Sequence, residues 1–164
     1  MEKHLLYKLY STYYSELFLY LYSLCHDREL AEDMTQEAFL KAMLSLHDNH
    51  SNVRAWLYMV GRNQLLNALA KQKRTELKAD IESYEPVCGD NILDGIIENE
   101  NKRILYEAIN RLDKTKREIL CMQYFSGFSQ KEIAALLHMT TENVRVQAYR
   151  GKKIIKEYLE DKGL

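Results

Sequence analysis

Arg145, Tyr149, Lys152 and Lys156 recur at helical spacing with Arg150 and Lys153 beside them, and from Val144 to Lys156 there are five bases and no acid. Such a face neutralises phosphates and hydrogen-bonds base edges in a DNA groove. Just upstream, Ser129-Gln130-Lys131-Glu132 has the form of a capping box, His138-Met139-Thr140 that of a tight turn, and Thr141 opens the basic helix. Two short helices joined in this way have the spacing of a helix-turn-helix, whose second helix enters the major groove. On a wheel, Val144, Ala148, Gly151 and Ile155 form the side that packs inward. An ordinary helical hairpin with a solvated basic face is the plainer alternative.

A second constellation runs from Arg54 to Lys78, where Arg54, Arg62, Lys71, Lys73, Arg74 and Lys78 oppose only Glu76, a balance of +5. This is either solvated charge or a nucleic-acid surface. The helix expected there is apolar on two sides, with Trp56, Met59, Val60 and Leu66 in one stripe, which Asn63 shares, and Tyr58, Leu65 and Leu69 in another. An amide left unpaired in a core costs about 1–3 kcal/mol, so Asn63 is expected either to join a buried network or to reach a ligand at the bundle surface. Its donor and acceptor suit the edge of a base. The third constellation lies on the helix expected over Asp27 to Leu46. There Ala31, Met34, Ala38, Phe39, Ala42 and Leu46 make a core face, while Asp33, Gln36, Glu37, Leu40 and Leu44 gather on the other side. Leucines rimmed by charge make a protein-binding stripe, unless they pack on the amino-terminal helix.

No other group of residues suggests chemistry. His47 and His50 flank a loop, with no Cys or further His nearby to complete a metal shell. There is no Gly-rich phosphate loop, nucleophile elbow or HExxH motif, so no catalytic residue, metal or cofactor is expected and the chain does not read as an enzyme. Cys25, Cys88 and Cys121 are far apart with no CxxC pair, which fits a reducing cytoplasm. The most apolar run, Leu17 to Cys25, is nine residues long against the roughly 20 that a membrane span needs, and no export signal is read.

The elements that must hold these faces are helices. The 164 residues contain one Pro and six Gly, too few turn residues for a sandwich or barrel, and carry 23 Lys+Arg against 24 Asp+Glu. Helices are expected over Leu5–Leu24, Asp27–Leu46 and Val53 to about Leu77, the third capped by Ser51 or Asn52 and central to its bundle. Four more are expected over Ile96–Arg111, Lys114–Tyr124, Gln130–Leu137 and Thr141 to about Leu159. Between them, Glu76 to Glu100 holds eight acids against Lys78, together with the only Pro. The fold expected is all-α: two helical domains, 1–78 and 101–164, joined by a flexible acidic linker, 79–100, the C-terminal domain containing the helix-turn-helix.

In three places in order the chain resembles the sigma factors of bacterial RNA polymerase, in particular the two-domain extracytoplasmic-function (ECF) type. Asp27-Arg28-Glu29-Leu30-Ala31-Glu32-Asp33-Met34-Thr35-Gln36-Glu37-Ala38-Phe39-Leu40-Lys41-Ala42 is similar to the family's polymerase-binding region. Arg54-Ala55-Trp56-Leu57 through Arg62-Asn63 is similar to its promoter-melting region. Leu112 to Ile155, with Gln123-Tyr124-Phe125-Ser126-Gly127-Phe128-Ser129 leading into the helix-turn-helix, is similar to its −35 region. The chain departs from the pattern at His138, where Gly is usual in the turn. It departs also at Val146 and Gln147, where a small polar residue and an Arg are usual, and at Asp113, where Pro is common.

The resemblance implies that Asp33, Gln36, Glu37, Leu40 and Leu44 bind the clamp helices of the polymerase largest subunit, with a further contact to the polymerase flap. It implies that the loop from His47 to Asn52, with Asn63 beneath it, holds a base flipped from the non-template strand of the −10 element, and that Arg62, Lys71, Lys73 and Arg74 hold phosphates. In the second domain it implies that Thr141, Arg145, Val146, Tyr149 and Arg150 meet the −35 element, with Lys152, Lys153 and Lys156 on its backbone. The partners implied are core polymerase, promoter DNA and an anti-sigma factor, with no membrane contact of the chain's own. The alternative is a stand-alone helix-turn-helix regulator whose first lobe senses or dimerises, and a third reading is a helical protein-binding adaptor.

Overall fold

The computed structural model describes residues 3–45, 52–76 and 95–163, and within them there are seven helices and no strand. The chain divides into two compact units, Met1–Val87 and Cys88–Leu164. The first contains α1 (Lys3–Cys25), α2 (Arg28–Ser45) and α3 (Val53–Glu76), each packed on the other two. In the second are α4 (Glu100–Ile109), α5 (Lys114–Tyr124), α6 (Gln130–Leu137) and α7 (Thr141–Asp161). Pro86, Cys88 and most of the acidic segment lie outside the described residues, as do Leu46, His47, His50, Ser51, Leu77 and Lys78.

The expectation that α3 is central is corrected: the three helices pack pairwise, and the most deeply buried run is the second half of α1. Leu17, Phe18, Leu19, Tyr20, Leu21, Tyr22 and Ser23 are buried consecutively, as a helix apolar on all sides must be when neighbours cover it. The same apolar run that is too short for a membrane makes the core. By contrast, α3 buries one line, Leu57, Tyr58, Gly61 and Leu65. Gly61 lets the two helices approach, since a Cβ there would sit 3.4 Å from the Leu17 and Leu21 methyls. On α2 the core line is Ala31, Thr35, Ala38, Phe39 and Ala42. The Thr35 hydroxyl donates to the Ala31 carbonyl at 2.6 Å, which makes its burial inexpensive.

A two-residue corner joins α1 to α2. His26 takes a left-handed backbone, φ 52°, with its N–H on the Tyr22 carbonyl at 2.8 Å, and Asp27 accepts from the Leu30 N–H at 3.2 Å. Cys25, at the end of α1, is buried with its thiol against the Leu21 and Asp27 carbonyls. Burial pushes that thiol up to about 11.

Every helix of the second unit begins on a side-chain cap. Asn99 accepts from the Asn101 and Lys102 N–H groups, so α4 starts at Glu100 and not at Ile96; Ile97 is buried ahead of the cap. Asp113 accepts from the Lys116 N–H at 3.1 Å and pairs with its ammonium at 2.7 Å. These contacts, the Lys116 hydrogen bond first, hold the Asp113 carboxyl below its usual range. Ser129 and Glu132 form the reciprocal capping box, and Thr140 caps α7 through the Asn143 N–H. Between α6 and α7, His138 stands at φ 55°, ψ 45°, the conformation for which glycine is the usual choice. His138→Gly is therefore expected to stabilise the second unit by about 0.5–1 kcal/mol. Thermal unfolding followed by circular dichroism should show its midpoint a few degrees higher.

Candidate nucleic-acid and protein interfaces

The basic face of α7 is built from its buried line. Val144, Ala148, Gly151 and Ile155 are all buried, and the 100° step of a helix then turns Arg145, Tyr149, Arg150, Lys152, Lys153 and Lys156 to solvent. Tyr149 is 70% exposed, an aromatic ring with no core role. Thr141 is exposed in the first turn, while Val146 and Gln147 are half-buried. Beside them stands a residue that charge counting passed over. Glu142 is exposed, and its carboxylate lies 3.5 Å from the Arg145 guanidinium. An acid amid bases accepts from cytosine N4 or orients its neighbouring Arg; the signal available in the sequence was its spacing of three from Arg145.

Toward the other end of α7 the lysines have a second neighbourhood. The Lys152 ammonium lies 5.8 Å from the centre of the Tyr124 ring. Both Lys152 and Lys156 rim a groove floored by Leu105, Tyr124, Ile155 and Leu159. At the last turn, Arg111 and Lys162 lie over Tyr158 at 4.8 and 5.0 Å, tying α7 to the end of α4.

In the first unit the structure decides between the two settings open to Asn63, and places it at the bundle surface. It is exposed, and so is Met59 at 47%; with half-buried Trp56 and Val60 they form the side of α3 opposite Leu57, Tyr58, Gly61 and Leu65. The amide is thus not stranded in a core. What remains is a solvent-facing strip of aromatic, apolar and amide groups, which suits an unstacked base better than a duplex. Arg74 continues that side of the helix, Lys71 and Lys73 are exposed on the last turns, and Arg62 is half-buried. Cations there also complement the carboxyl end of the helix dipole. Asn52 caps α3 through the Ala55 N–H at 3.1 Å. The rest of the loop expected to hold a flipped base lies outside the described residues.

On α2 all five stripe residues, Asp33, Gln36, Glu37, Leu40 and Leu44, are exposed, Leu40 at 46% and Leu44 at 73%. They face away from Ala31, Thr35, Ala38 and Ala42, so neither leucine is covered by α1. Asp33, Met34, Gln36, Glu37 and Leu40 border a shallow depression. Gln36 reaches across to the Tyr14 hydroxyl of α1, a group whose pKa is raised chiefly by burial.

Residues 9–75 match the model of sigma-70 region 2, and residues 102–155 match that of sigma-70 region 4. The chain is an ECF sigma factor of the sigma-70 family. This sigma factor is 25% identical over 159 residues to the ECF RNA polymerase sigma factor SigM of Bacillus subtilis, with 91% of each chain covered. It is 28% identical over 146 residues to the RNA polymerase sigma-H factor of Pseudomonas aeruginosa, covering 82% of this chain and 76% of that one. Its fold is similar to that of the sigma factor RpoE solved with the anti-sigma factor NepR from Bartonella quintana. That match has a TM-score of 0.71 at 23% identity and covers 94% and 96% of the two chains. A second similar structure, CnrH with the cytosolic domain of CnrY, gives a TM-score of 0.65 at 19% identity over 98% and 90%. As a sigma factor the chain binds polymerase core and promoter DNA in transcription initiation, which disfavours the stand-alone regulator. Among the described residues, no helix is long and apolar enough to cross a membrane.

Proposed function

We propose a division of labour in which α2 binds polymerase, α3 opens the promoter and α7 reads the −35 element. The observation that carries it is the exposure of Asp33, Gln36, Glu37, Leu40 and Leu44 on one side of α2, an apolar and acidic stripe turned away from the core. On this reading the stripe docks on the clamp helices of the largest subunit, and the second unit also meets the flap. Asn52, Arg62, Asn63, Lys71, Lys73 and Arg74 act on the −10 element. A base must leave the stack before its Watson–Crick edge can be read, so capture beside Trp56 and Asn63 both recognises a base and opens the duplex. Thr141, Arg145, Val146, Tyr149 and Arg150 enter the major groove, with Lys152 and Lys153 on phosphates.

In vitro transcription with core enzyme and genomic DNA tests the activity and yields a promoter. On that promoter, Asn63→Ala is expected to slow open-complex formation about tenfold, within the range of one lost base contact. A premelted bubble should restore the melting part of the defect, and normal opening by the variant would remove Asn63 from the site.

We further infer an anti-sigma partner that covers the α2 stripe and the basic side of α7. Support comes from the family and from RpoE, a neighbour in fold, solved bound to NepR. Constitutive activity in the native host with no copurifying inhibitor would exclude it.

A further inference from the structure

Among the described residues, Cys25, Cys121 and Met122 are buried, and Met34 and Met139 are half-buried. The exposed sulfurs are two thioethers, Met43 on α2 at 39% and Met59 on α3 at 47%. Met59 is the one set in the candidate −10 surface. It stands one turn after Trp56 and one turn before Asn63, on the strip that faces solvent opposite Leu57, Tyr58, Gly61 and Leu65. The helix packs inward along that opposite line, so a chemical change at the Met59 sulfur leaves the packing of the bundle as it was. Methionine is apolar, polarisable and adaptable, and its sulfur packs favourably on aromatic rings. An unstacked base held beside Trp56 and Asn63 offers it such a ring.

We propose that Met59 is an oxidation site through which a peroxide lowers promoter opening. This rests on the reading of the α3 strip and adds a control to it. The thioether sulfur attacks one oxygen of the peroxide: an S–O bond forms, the O–O bond breaks, and the sulfur gives up two electrons. With hydrogen peroxide the other oxygen takes up the proton of the transferred one and leaves as water. A methionine sulfoxide reductase reverses the step, the sulfoxide oxygen leaving as water while two thiols become a disulfide. A thioether has no proton to lose, so the oxidation needs no ionised sulfur and runs at neutral pH. The product is polar and holds water on its oxygen, and a base stacked over the strip would have to displace that water. Oxidation thus takes away the apolar contact for the base without touching the buried side of α3.

The test oxidises the free chain with hydrogen peroxide, locates the sulfoxides by peptide mass spectrometry, and then adds untreated core enzyme. Oxidation of Met59 is expected to slow open-complex formation on a duplex promoter about tenfold, the scale of one weakened contact between a base and a side chain, at unchanged melting temperature and unchanged affinity for core. Treatment with both reductases, one for each sulfoxide epimer, should restore the rate. Peroxide should cause no further loss in Met59→Leu, whatever the starting rate of that variant, and the full loss in Met43→Leu. A Met59→Leu chain that loses as much as wild type, or a defect of the oxidised chain that lies in core binding, would overturn the proposal. Asn63→Ala, never oxidised, keeps the strip reading separate. Slow opening by Asn63→Ala with normal opening by the Met59 sulfoxide overturns the control alone; normal opening by both overturns the strip and the control with it.

Discussion

Gly151→Leu is expected to unfold the second unit, whereas Gly151→Ala should leave it standing. A Cβ at Gly151 would lie 2.7 Å from a Leu120 methyl and 3.5 Å from one of Leu112, so α5 and α7 meet where there is no side chain. One methyl can be accommodated by rotation of the Leu120 tip, and the alanine gains about 1 kcal/mol in helix propensity over glycine. The two effects nearly cancel. A leucine has no such route, because its branch must enter the space already held by Leu112 and Leu120; overpacking costs about 1–3 kcal/mol where the backbone can shift, and more where it cannot. Against the few kcal/mol that a small unit has in hand, that is most of its stability. Thermal unfolding of the full chain should lose the second unit's transition in Gly151→Leu and keep it in Gly151→Ala. The glycine in the other unit, Gly61, should behave differently, since a Cβ there meets Leu17 and Leu21 at 3.4 Å, near ordinary contact.

Asp33→Lys combined with Leu40→Ala is expected to reduce affinity for core polymerase by about 30-fold or more, with the melting temperature within about 2 °C of wild type. The size follows from removing an interface leucine worth about 1–2 kcal/mol and reversing a charge at its rim. The unchanged stability follows from exposure: both side chains are in water in the free protein, so their replacement leaves no cavity and no buried group without a partner. Competition with labelled wild-type chain for core enzyme measures the first, and circular dichroism the second. An unfolded double variant would return these residues to the core and the stripe with them.

The parts of this fold legible in the sequence are those fixed by local chemistry. Expected and observed limits coincide for α5 and α6 because Asp113 and Ser129 are strong caps, and at the start of α7 because Thr140 is one. The inward line of α7 was legible because four small or apolar residues recur among charges. Reading failed where packing decides. The start of α4 was placed too early because Ile96 and Ile97 extend an apolar pattern that Asn99 interrupts with its cap. On α3 two apolar stripes were legible and periodicity alone could not say which faces inward; the inward one holds Tyr58 and Leu65 and runs through Gly61, which has no hydrophobic signal, and Asn63 lies on the other. The same blindness hid the burial of α1, where a continuous apolar run has no phase to read. Of the interfaces, the exposed stripe and the basic helix were legible from pattern. Glu142, three residues before Arg145, was legible by spacing and was passed over because only the bases were counted.

The corner after α1 bears on the chemistry of sulfur in the cell. At cysteine, peroxide, alkylating agents and disulfide exchange all act through a thiolate, and a thiol held near 11 leaves roughly one Cys25 in ten thousand ionised at neutral pH. Cys25 itself borders a surface cavity with Leu24, Leu30, Leu69 and Gln72, whereas Cys121 is wholly buried in the second unit. Cys25 is slow to react for want of thiolate, and Cys121 for want of access. A redox signal that changes transcription by this factor is therefore more readily written at other atoms than these two sulfurs, the exposed thioethers of Met43 and Met59 among them.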